Sequence, residues 1–348
     1  MPGQVIFQQH GPLARVTLSH PGKLGAMSRA MWRELKAVFE SVQAARDIRC
    51  VVLQGEGGAF CAGGDIAEMY ATGTRGDHAY GRRFWADEYR MNARIAEYGK
   101  PVVSFLQGFT MGGGVGLGCH GSHRIVGESA QVAMPECGIG LVPDVGGSYL
   151  LATAPGHLGE YLGTTGARMG PADAILAGFA DRFVPEADWP ALKARLVAGG
   201  DAGAVAAAAR EAPAGRLAAL RPEIDALFAG ASLGDIVHAL EAAGTPFAAG
   251  ALEAIRRAAP LSAACTVEMV RRLRGRATMR AALALEYRFT FRSMGQADFL
   301  EGIRAAIIDK DRSPRWRHRG PDAVPAGDVE GMLAPLGADE LTFGEDGA

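Results

Sequence analysis

Two glycine-rich segments, each following a short apolar run, limit the folds open to this chain more than any other feature. Residues 57–66 follow the apolar run 50–54, and residues 111–118, with three consecutive glycines, follow the apolar run 101–107. Glycine lets the main chain approach a ligand closely and direct its N–H groups at an anion. A strand, a glycine-rich loop and a helix start therefore predict an α/β fold that binds its ligand through backbone donors.

The second signal is a pair of acidic residues in a segment that is otherwise almost uncharged. Glu136 and Asp144 lie among glycine, proline and apolar residues between positions 134 and 147. A carboxylate is costly in such surroundings unless it has a partner or a chemical task. Together with backbone donors, the two carboxylates indicate acyl chemistry; a pair of capping or ion-paired carboxylates is the structural alternative.

The charge and size of the chain favour a globular protein with a small-molecule partner. Its 348 residues are 48% hydrophobic, which suffices for one large core or two domains. The formal net charge is -2, and no cluster of Lys or Arg precedes the C-terminal third. A basic run between residues 271 and 280 could bind phosphate, but its spacing is typical of a solvated helix face. We therefore predict no nucleic acid partner.

The cysteine and histidine patterns argue against a metal or disulfide framework. Five cysteines, an odd number without a C-x-x-C pair, fit a reducing compartment. Cys61 and Cys137 lie near the segments described above, but small buried thiols are favoured over a thiol nucleophile because no histidine is tied to either in sequence. His120 and His123 lack a third ligand. We predict no metal site.

Strand-like and helical patterns alternate up to about residue 190, where Ala-rich helical segments begin. We predict a core over residues 1–190 and a helical region over residues 191–348, with an acidic tail beyond Trp316 that is loosely held and whose final residues are disordered. No apolar run reaches roughly 18 residues, and the first residues show no leader pattern. These features predict a cytoplasmic protein without a membrane partner.

Several separated motifs resemble the crotonase superfamily of enoyl-CoA hydratases and isomerases. The resemblance to the superfamily is carried by Ala59-Phe60-Cys61-Ala62-Gly63-Gly64-Asp65-Ile66 and Met111-Gly112-Gly113-Gly114. Similarity to its 3-hydroxyisobutyryl-CoA hydrolase branch is carried by Met134-Pro135-Glu136, Pro143-Asp144-Val145-Gly146-Gly147-Ser148-Tyr149, Asp298-Phe299-Leu300-Glu301-Gly302-Ile303-Arg304-Ala305 and Ile308-Asp309-Lys310-Asp311. The resemblance covers nearly the whole chain.

The resemblance implies a ββα spiral core with a C-terminal helical region. It also implies an acyl-CoA thioester whose carbonyl oxygen lies between the N–H groups of Gly64 and Gly113, where such donors stabilise developing negative charge. The residues that it assigns to substrate binding are Lys23, Leu24, Ala62, Asp65 and Ile66 for CoA, and Glu88 for the acyl group. Coenzyme A is then part of the substrate, and no separate cofactor is expected. The superfamily also makes a homo-oligomer possible.

One substitution within the motifs separates hydrolysis from hydration. Hydratases of the superfamily use two glutamates, and the first of these positions is Gly116 here, whereas Glu136 retains the second. Asp144 stands where hydratases have a small residue, as in the hydrolase branch, which acts in valine degradation. The resemblance implies Glu136 as nucleophile or base and Asp144 as the residue handling a hydroxyl, water or leaving-group proton. Gly25 replaces the asparagine that usually orders the CoA loop.

Three other functions remain to be weighed. A lone Glu136 could serve a hydratase or isomerase acting on another acyl-CoA. A dinucleotide-binding oxidoreductase is possible because Gly116, Gly118 and Gly121 satisfy G-x-G-x-x-G, although the strand ends near Gln107, nine residues earlier. A binding module without activity would retain the fold alone. A solvated surface position is the alternative for Glu88.

Overall fold

The computed structural model describes residues 2–344 and contains strands and helices throughout that range. The strands of this range are β1 (Gln4–His10), β2 (Leu13–Ser19), β3 (Cys50–Gly55), β4 (Val102–Leu106), β5 (Phe109–Met111), β6 (His123–Val126), β7 (Gln131–Ala133) and β8 (Arg182–Phe183). Its helices are α1 (Arg29–Ala44), α2 (Ala67–Gly73), α3 (His78–Ala96), α4 (Gly113–Gly118), α5 (Gly147–Thr153), α6 (Leu158–Thr165), α7 (Pro171–Leu176), α8 (Trp189–Gly199), α9 (Ala204–Ala208), α10 (Leu217–Leu227), α11 (Leu233–Ala243), α12 (Pro246–Arg257), α13 (Pro260–Leu273), α14 (Met279–Gln296), α15 (Phe299–Ile303) and α16 (Ala326–Leu333).

The main sheet has six strands in the order β1-β2-β3-β4-β6-β8. β1 pairs with β2 in antiparallel orientation, and every other neighbouring pair in this sheet is parallel. β5 and β7 form a separate parallel pair. Almost every residue of β3 and β4 is buried, as expected for central strands of a parallel sheet whose two faces are covered. This burial explains why both strands appear in the sequence as continuous apolar runs.

Helix α8 packs on one face of this sheet. It buries Trp189, Leu192 and Leu196, which share a hydrophobic cluster with residues of β2, β3, β4 and β6. The rings of Phe105 and Trp189 meet edge to face with their centroids 5.1 Å apart. The packing fixes β4, and the chain passes from β4 through β5 into the second glycine-rich segment.

The chain divides into two compact units. The first comprises residues 1–65, 91–133 and 168–218. The second comprises residues 66–90, 134–167 and 219–348. The first unit contains all the strands of the described range, and the second, within the described residues, consists of helices and irregular segments. The predicted boundary at residue 190 falls inside the first unit; as a statement about separate domains it stays a prediction.

The C-terminal segment is more ordered than its composition predicts. Beyond Trp316 the chain forms α16, which buries Met332 and Leu333. Arg288 pairs with Glu340 at 2.6 Å, and Arg90 Nε donates to the Thr342 carbonyl at 2.9 Å. The prediction of a loosely held tail is therefore wrong up to residue 344, because a few apolar side chains and arginine contacts suffice to hold it. The final residues of the tail lie outside the described range.

No helix within residues 2–344 combines the length and apolar character needed to cross a bilayer.

Candidate active site

The two predicted oxyanion donors, Gly64 and Gly113, belong to the first unit. Met27 pairs with the first glycine loop: its N–H donates to Gly63 O and its carbonyl accepts from Asp65 N, both at 2.8 Å. The intervening N–H of Gly64 makes no hydrogen bond within the described residues. Gly113 is the first residue of α4, where the N–H has no intrahelical acceptor. A Cβ placed on Gly63 would lie 3.8 Å from Gly113 N, so the two donor segments are adjacent.

Glycine is required at this junction for two reasons. Gly112 adopts φ 51° and ψ -122°, a combination that residues with a side chain rarely adopt. A Cβ on Gly114 would lie 2.2 Å from the Cys61 carbonyl oxygen. That oxygen accepts a hydrogen bond from Met111 N at 3.0 Å, which joins the two glycine-rich segments. The main chain therefore packs too closely here for any residue but glycine.

The predicted CoA loop lies beside the first glycine segment. Lys23 Nζ is 2.5 Å from Asp65 Oδ2, and Ala62 N donates to Leu24 O at 3.0 Å. The Leu24 side chain is 52% exposed, and its backbone is left-handed, with φ 49°. Lys23, Leu24, Ala62 and Asp65 are thus brought together in the first unit. Ile66 belongs to the second unit, where it precedes α2.

The presence of glycine at position 25 also has a structural reason. Its φ is +72°, and a Cβ there would lie 2.9 Å from the Phe60 carbonyl oxygen. Asparagine tolerates the left-handed conformation, but its Cβ would require this oxygen to shift. The close approach explains why glycine, rather than the usual asparagine, fits at this position. Its effect on CoA affinity stays a prediction.

The two predicted catalytic carboxyls belong to the second unit and are both buried. Glu136 opens a 3-10 turn, Glu136–Ile139, and is 5% exposed. Its Oε2 atom is buried and has no hydrogen-bond partner among the described residues. Burial, followed by the charge of Asp144, raises the pKa of Glu136 well above its usual range. Such an oxygen is costly unless it is protonated or has a ligand to act on.

Asp144 precedes α5 and has a direct partner. The Tyr89 hydroxyl donates to Asp144 Oδ2 at 2.6 Å, and both side chains are buried. Burial raises the pKa of Asp144 to about 7, although the Tyr89 hydrogen bond and the backbone bond of Asp144 itself lower it. Near neutral pH this carboxyl can therefore both hold and release a proton.

Two more carboxyls complete a cluster in the second unit. Glu88 on α3 is 3% exposed, so the surface alternative is wrong. Burial, then the charges of Asp144, Glu136 and Glu286, raise the pKa of Glu88 well above its usual range. Burial raises the pKa of Glu286, on α14, to about 8 against the hydrogen bonds that lower it. Four neighbouring carboxyls cannot all ionise cheaply, so the cluster retains protons near neutrality.

Sequence reasoning missed Glu286, Tyr89 and Ser148 as members of this site. Glu286 accepts hydrogen bonds from Gly146 N at 2.8 Å and Ser148 N at 3.0 Å, and also from the Ser148 hydroxyl. Residues 286 and 148 are 138 positions apart, so no local pattern indicates the contact. The available signal was a lone glutamate within the apolar stretch of α14.

The remaining candidates have structural roles. The Cys137 thiol lies 3.3 Å from both Gly163 O and Thr266 Oγ1, and burial raises its pKa to about 12, which disfavours a nucleophile. Gly116 lies inside α4, whereas a dinucleotide fingerprint has its glycines in the turn before a helix. The oxidoreductase alternative therefore lacks its structural context. No group of three or more potential metal ligands occurs within residues 2–344.

The comparisons with known proteins identify the family. A family model described as enoyl-CoA hydratase/isomerase matches residues 13–333. The chain belongs to this family. The curated 3-hydroxyisobutyryl-CoA hydrolase of Gallus gallus, named as mitochondrial, is 34% identical, and the alignment covers 97% of this chain and 90% of that protein. 3-Hydroxyisobutyryl-CoA hydrolase 1 of Arabidopsis thaliana is also 34% identical over 91% of this chain and 87% of its own length.

Solved structures of family members share the complete fold. A structure titled as an enoyl-CoA hydratase from Rhodobacter sphaeroides is 58% identical with a TM-score of 0.94, covering 98% of this chain and all (100%) of that one. A structure titled as a carnitinyl-CoA dehydratase from Mycobacterium thermoresistibile is 39% identical with a TM-score of 0.93, covering 99% of each chain. The predicted fold class, a crotonase-like core with a C-terminal helical region, is confirmed. The roles of individual site residues stay predictions.

Proposed function

We propose that this protein hydrolyses the thioester of a short branched 3-hydroxyacyl-CoA, with 3-hydroxyisobutyryl-CoA as the first candidate. The observation that carries the proposal is a pair of buried carboxyls. Glu136 has a side-chain oxygen without a hydrogen-bond partner among the described residues, and Asp144 has a pKa near 7. The chain also has Gly116 in place of a second hydratase glutamate. The curated relatives named as hydrolases support the same reading.

In this proposal the backbone donors for the thioester oxygen are Gly64 and Gly113. Attack on the acyl carbon places negative charge on the carbonyl oxygen, and the N–H groups of Gly64 and Gly113 have no other acceptor within the described residues. A pre-aimed donor of this kind stabilises the transition state by about 3 kcal/mol. The loop of Lys23 and Leu24, with Ala62, Asp65 and Ile66, binds the CoA portion in this proposal.

In this proposal Glu136 and Asp144 carry out the proton chemistry. Ionised Glu136 either attacks the acyl carbon, forming a mixed anhydride that water then opens, or takes a proton from the water that attacks directly. In both routes the C–S bond breaks and the CoA thiolate leaves. Asp144 in its protonated form gives the departing sulfur its proton, and Glu88 contacts the substrate hydroxyl. The oxygen of water becomes part of the released carboxylic acid, and its two protons account for those on the acid and on the CoA thiol, so the reaction balances.

Hydration of an enoyl-CoA is the second candidate, because the 58% identical structure is titled as an enoyl-CoA hydratase. Asp144 would then replace the glutamate that is missing at Gly116, and Glu136 would act as the other acid or base. A cytoplasmic location and a homo-oligomer also stay predictions.

Two assays on the same protein separate these candidates. Thiol release from 3-hydroxyisobutyryl-CoA is followed with a thiol reagent, and loss of enoyl absorbance from crotonyl-CoA is followed in parallel, for wild type, Glu136→Gln and Asp144→Asn. We expect thiol release that falls by at least about 10³-fold in Glu136→Gln, with no hydration. Hydration without thiol release would reject the hydrolase assignment.

The two roles of Glu136 are separated by a single turnover in ¹⁸O-water. Attack by the Glu136 carboxylate gives a mixed anhydride, and water that opens it at the Glu136 carbonyl carbon leaves one ¹⁸O in that side chain, which mass spectrometry of the peptide detects. General-base attack by water leaves the label only in the released acid. Glu160→Gln, a change at a buried glutamate held by Arg274 at 2.6 Å, is the control for loss of activity through misfolding.

A further inference from the structure

The turn that carries Asp144 has an unfavourable backbone conformation. Val145 has φ 55° and Gly146 has φ 81°, so two consecutive residues are left-handed. This region is costly for a β-branched residue, and such a conformation persists only where the surroundings enforce it. Within the turn, Gly147 N donates to Asp144 O at 2.7 Å. That bond closes the turn between Asp144 and Gly147.

Glu286 accepts hydrogen bonds from this turn and from the residue that follows it. One carboxylate oxygen accepts from Gly146 N at 2.8 Å, and the other accepts from Ser148 N at 3.0 Å and from the Ser148 hydroxyl. N–H groups beside a left-handed residue can form a concave anion site, and the Glu286 carboxylate accepts here from the N–H groups on either side of Gly147. Glu286 is fully buried on α14, so its position is set by a packed helix.

The carboxylate of Asp144 is held separately from its backbone. Tyr89 on α3 donates to it at 2.6 Å, and Thr290 Oγ1 lies 3.5 Å from the Tyr89 hydroxyl. Thr290 is on α14, four residues after Glu286, so both residues lie on one helix face. One helix therefore contacts the turn through Glu286 and the partner of the carboxylate through Thr290.

We propose that Glu286 and Tyr89 are positioning residues for Asp144, Glu286 by holding the turn that carries it and Tyr89 by orienting its carboxylate. The inference rests on the proposed function only for the identity of the reaction that Asp144 serves. Neither residue needs to touch the substrate, and both act through Asp144.

The two residues have opposite electrostatic effects, which gives the proposal a distinctive signature. The titratable groups that face Asp144 are Glu88 and Tyr89 on α3, Glu136 in the 3-10 turn and Glu286 on α14. The charge of Glu286 raises the pKa values of Glu88 and Glu136, so Glu286→Gln should let these two carboxyls ionise at lower pH. Removing the Tyr89 hydroxyl removes a donor to the Asp144 carboxylate, so Asp144 ionises at higher pH.

The test compares Glu286→Gln and Tyr89→Phe with wild type in pH profiles of kcat. The glutamine keeps the size of the side chain but points an NH₂ group at one of three donors. We expect kcat to fall about 10- to 100-fold in Glu286→Gln while KM changes less than about threefold, because a displaced reacting group costs rate more than binding. The profile should move to lower pH in Glu286→Gln and to higher pH in Tyr89→Phe, each by about 0.5 to 1 unit.

A double-mutant cycle shows whether both residues act through Asp144. In the Asp144→Asn background, neither change should lower kcat further by more than about twofold. Glu160→Gln is the matched control, since Glu160 is equally buried but is held by Arg274 rather than by the turn. We expect that control to lose stability while its pH profile stays that of wild type.

Each outcome decides the inference independently of the proposed function. The profiles are measured on whichever acyl-CoA reaction the wild type catalyses, thiol release or hydration, so missing thiol release rejects the proposed function alone. Unchanged profiles, or rate losses that add to that of Asp144→Asn, would overturn the positioning role. If Glu286→Gln does not fold, Ser148→Ala removes one of the three donors, and we expect kcat to fall by about threefold or more.

Discussion

Three consecutive glycines perform three different tasks in the first unit. Gly112 provides a backbone conformation that other residues avoid, Gly113 provides an N–H without an acceptor in the described range, and Gly114 allows contact with Cys61. In the proposed mechanism only the second task is chemical. The other two bring the donor to its position, which is why the whole run is needed where one amide acts.

Gly114→Ala should therefore damage catalysis by moving backbone. Its Cβ would lie 2.2 Å from Cys61 O, so the two glycine-rich segments must separate. We expect kcat to fall by about 10²-fold or more, as for the loss of one oxyanion donor, and the melting temperature to decrease. Gly250→Ala, on α12 with no atom within 4 Å of the new Cβ, is the control and should stabilise by about 0.5–1 kcal/mol. Full activity in Gly114→Ala would contradict this account.

The sequence predicted the residues that lie in local motifs and missed those that arrive from a distance. The two glycine-rich segments, Glu136 and Asp144 could be found because glycine runs and isolated carboxylates are visible over a few positions, and the resemblance to the crotonase superfamily then singled out Gly64 and Gly113. Glu286 could not, because its partners lie about 140 residues earlier and nothing local links them. Helical periodicity places residue 286 on a buried face of α14 but does not say what it contacts.

Helix α14 links the carboxyl cluster to the C-terminal segment within the second unit. Arg292 donates to the carbonyls of Met332 and Pro335, and Arg288 pairs with Glu340. The tail was predicted to be loose because its composition is acidic and rich in Gly and Pro. Composition averages over the segment, whereas two buried side chains and a few arginines determine whether it packs.

Leu333→Ala tests whether this segment supports α14. Leu333 is fully buried, so the change should lower the free energy of unfolding by about 2–4 kcal/mol. If the tail supports the helix that carries Glu286, kcat should also fall, by about threefold or more, although residue 333 is outside the carboxyl cluster. Ile308→Ala removes a side chain that is 44% exposed and should change both quantities little. Denaturant titration and kcat are measured on the same samples. A loss of stability without any change in kcat would show that the C-terminal segment does not support the position of Glu286.

Buried carboxyls should make the whole molecule less stable as the pH rises. The pKa of Asp144 is raised by burial from 3.8 to about 7, and that of Glu286 from 4.5 to about 8. At a pH between the unfolded and the folded pKa of each carboxyl, the unfolded chain has released a proton that the folded protein still holds. Folding is therefore favoured at the acidic end of the window and loses free energy towards the alkaline end.

We predict that the free energy of unfolding falls between about pH 5 and about pH 7, and that Asp144→Asn flattens the slope by up to about 1.4 kcal/mol per pH unit. Urea unfolding at a series of pH values measures this directly. Glu253→Gln, which changes an exposed carboxyl on α12, should leave the slope as in wild type. A slope of the opposite sign would mean that the cluster is ionised in the folded protein.

The burial of the thiols has a consequence for an enzyme that handles thioesters. A protein thiolate that reaches an acyl-CoA can take the acyl group itself and release CoA, leaving the enzyme acylated. Cys137 is adjacent in sequence to Glu136, but burial raises its pKa to about 12, and Gly163 O and Thr266 Oγ1 are its neighbours. It stays a protonated thiol, as do Cys50 and Cys119, whose pKa values burial also raises to about 12. These sulfurs therefore do not compete with water for the acyl group, and self-acylation through them is avoided.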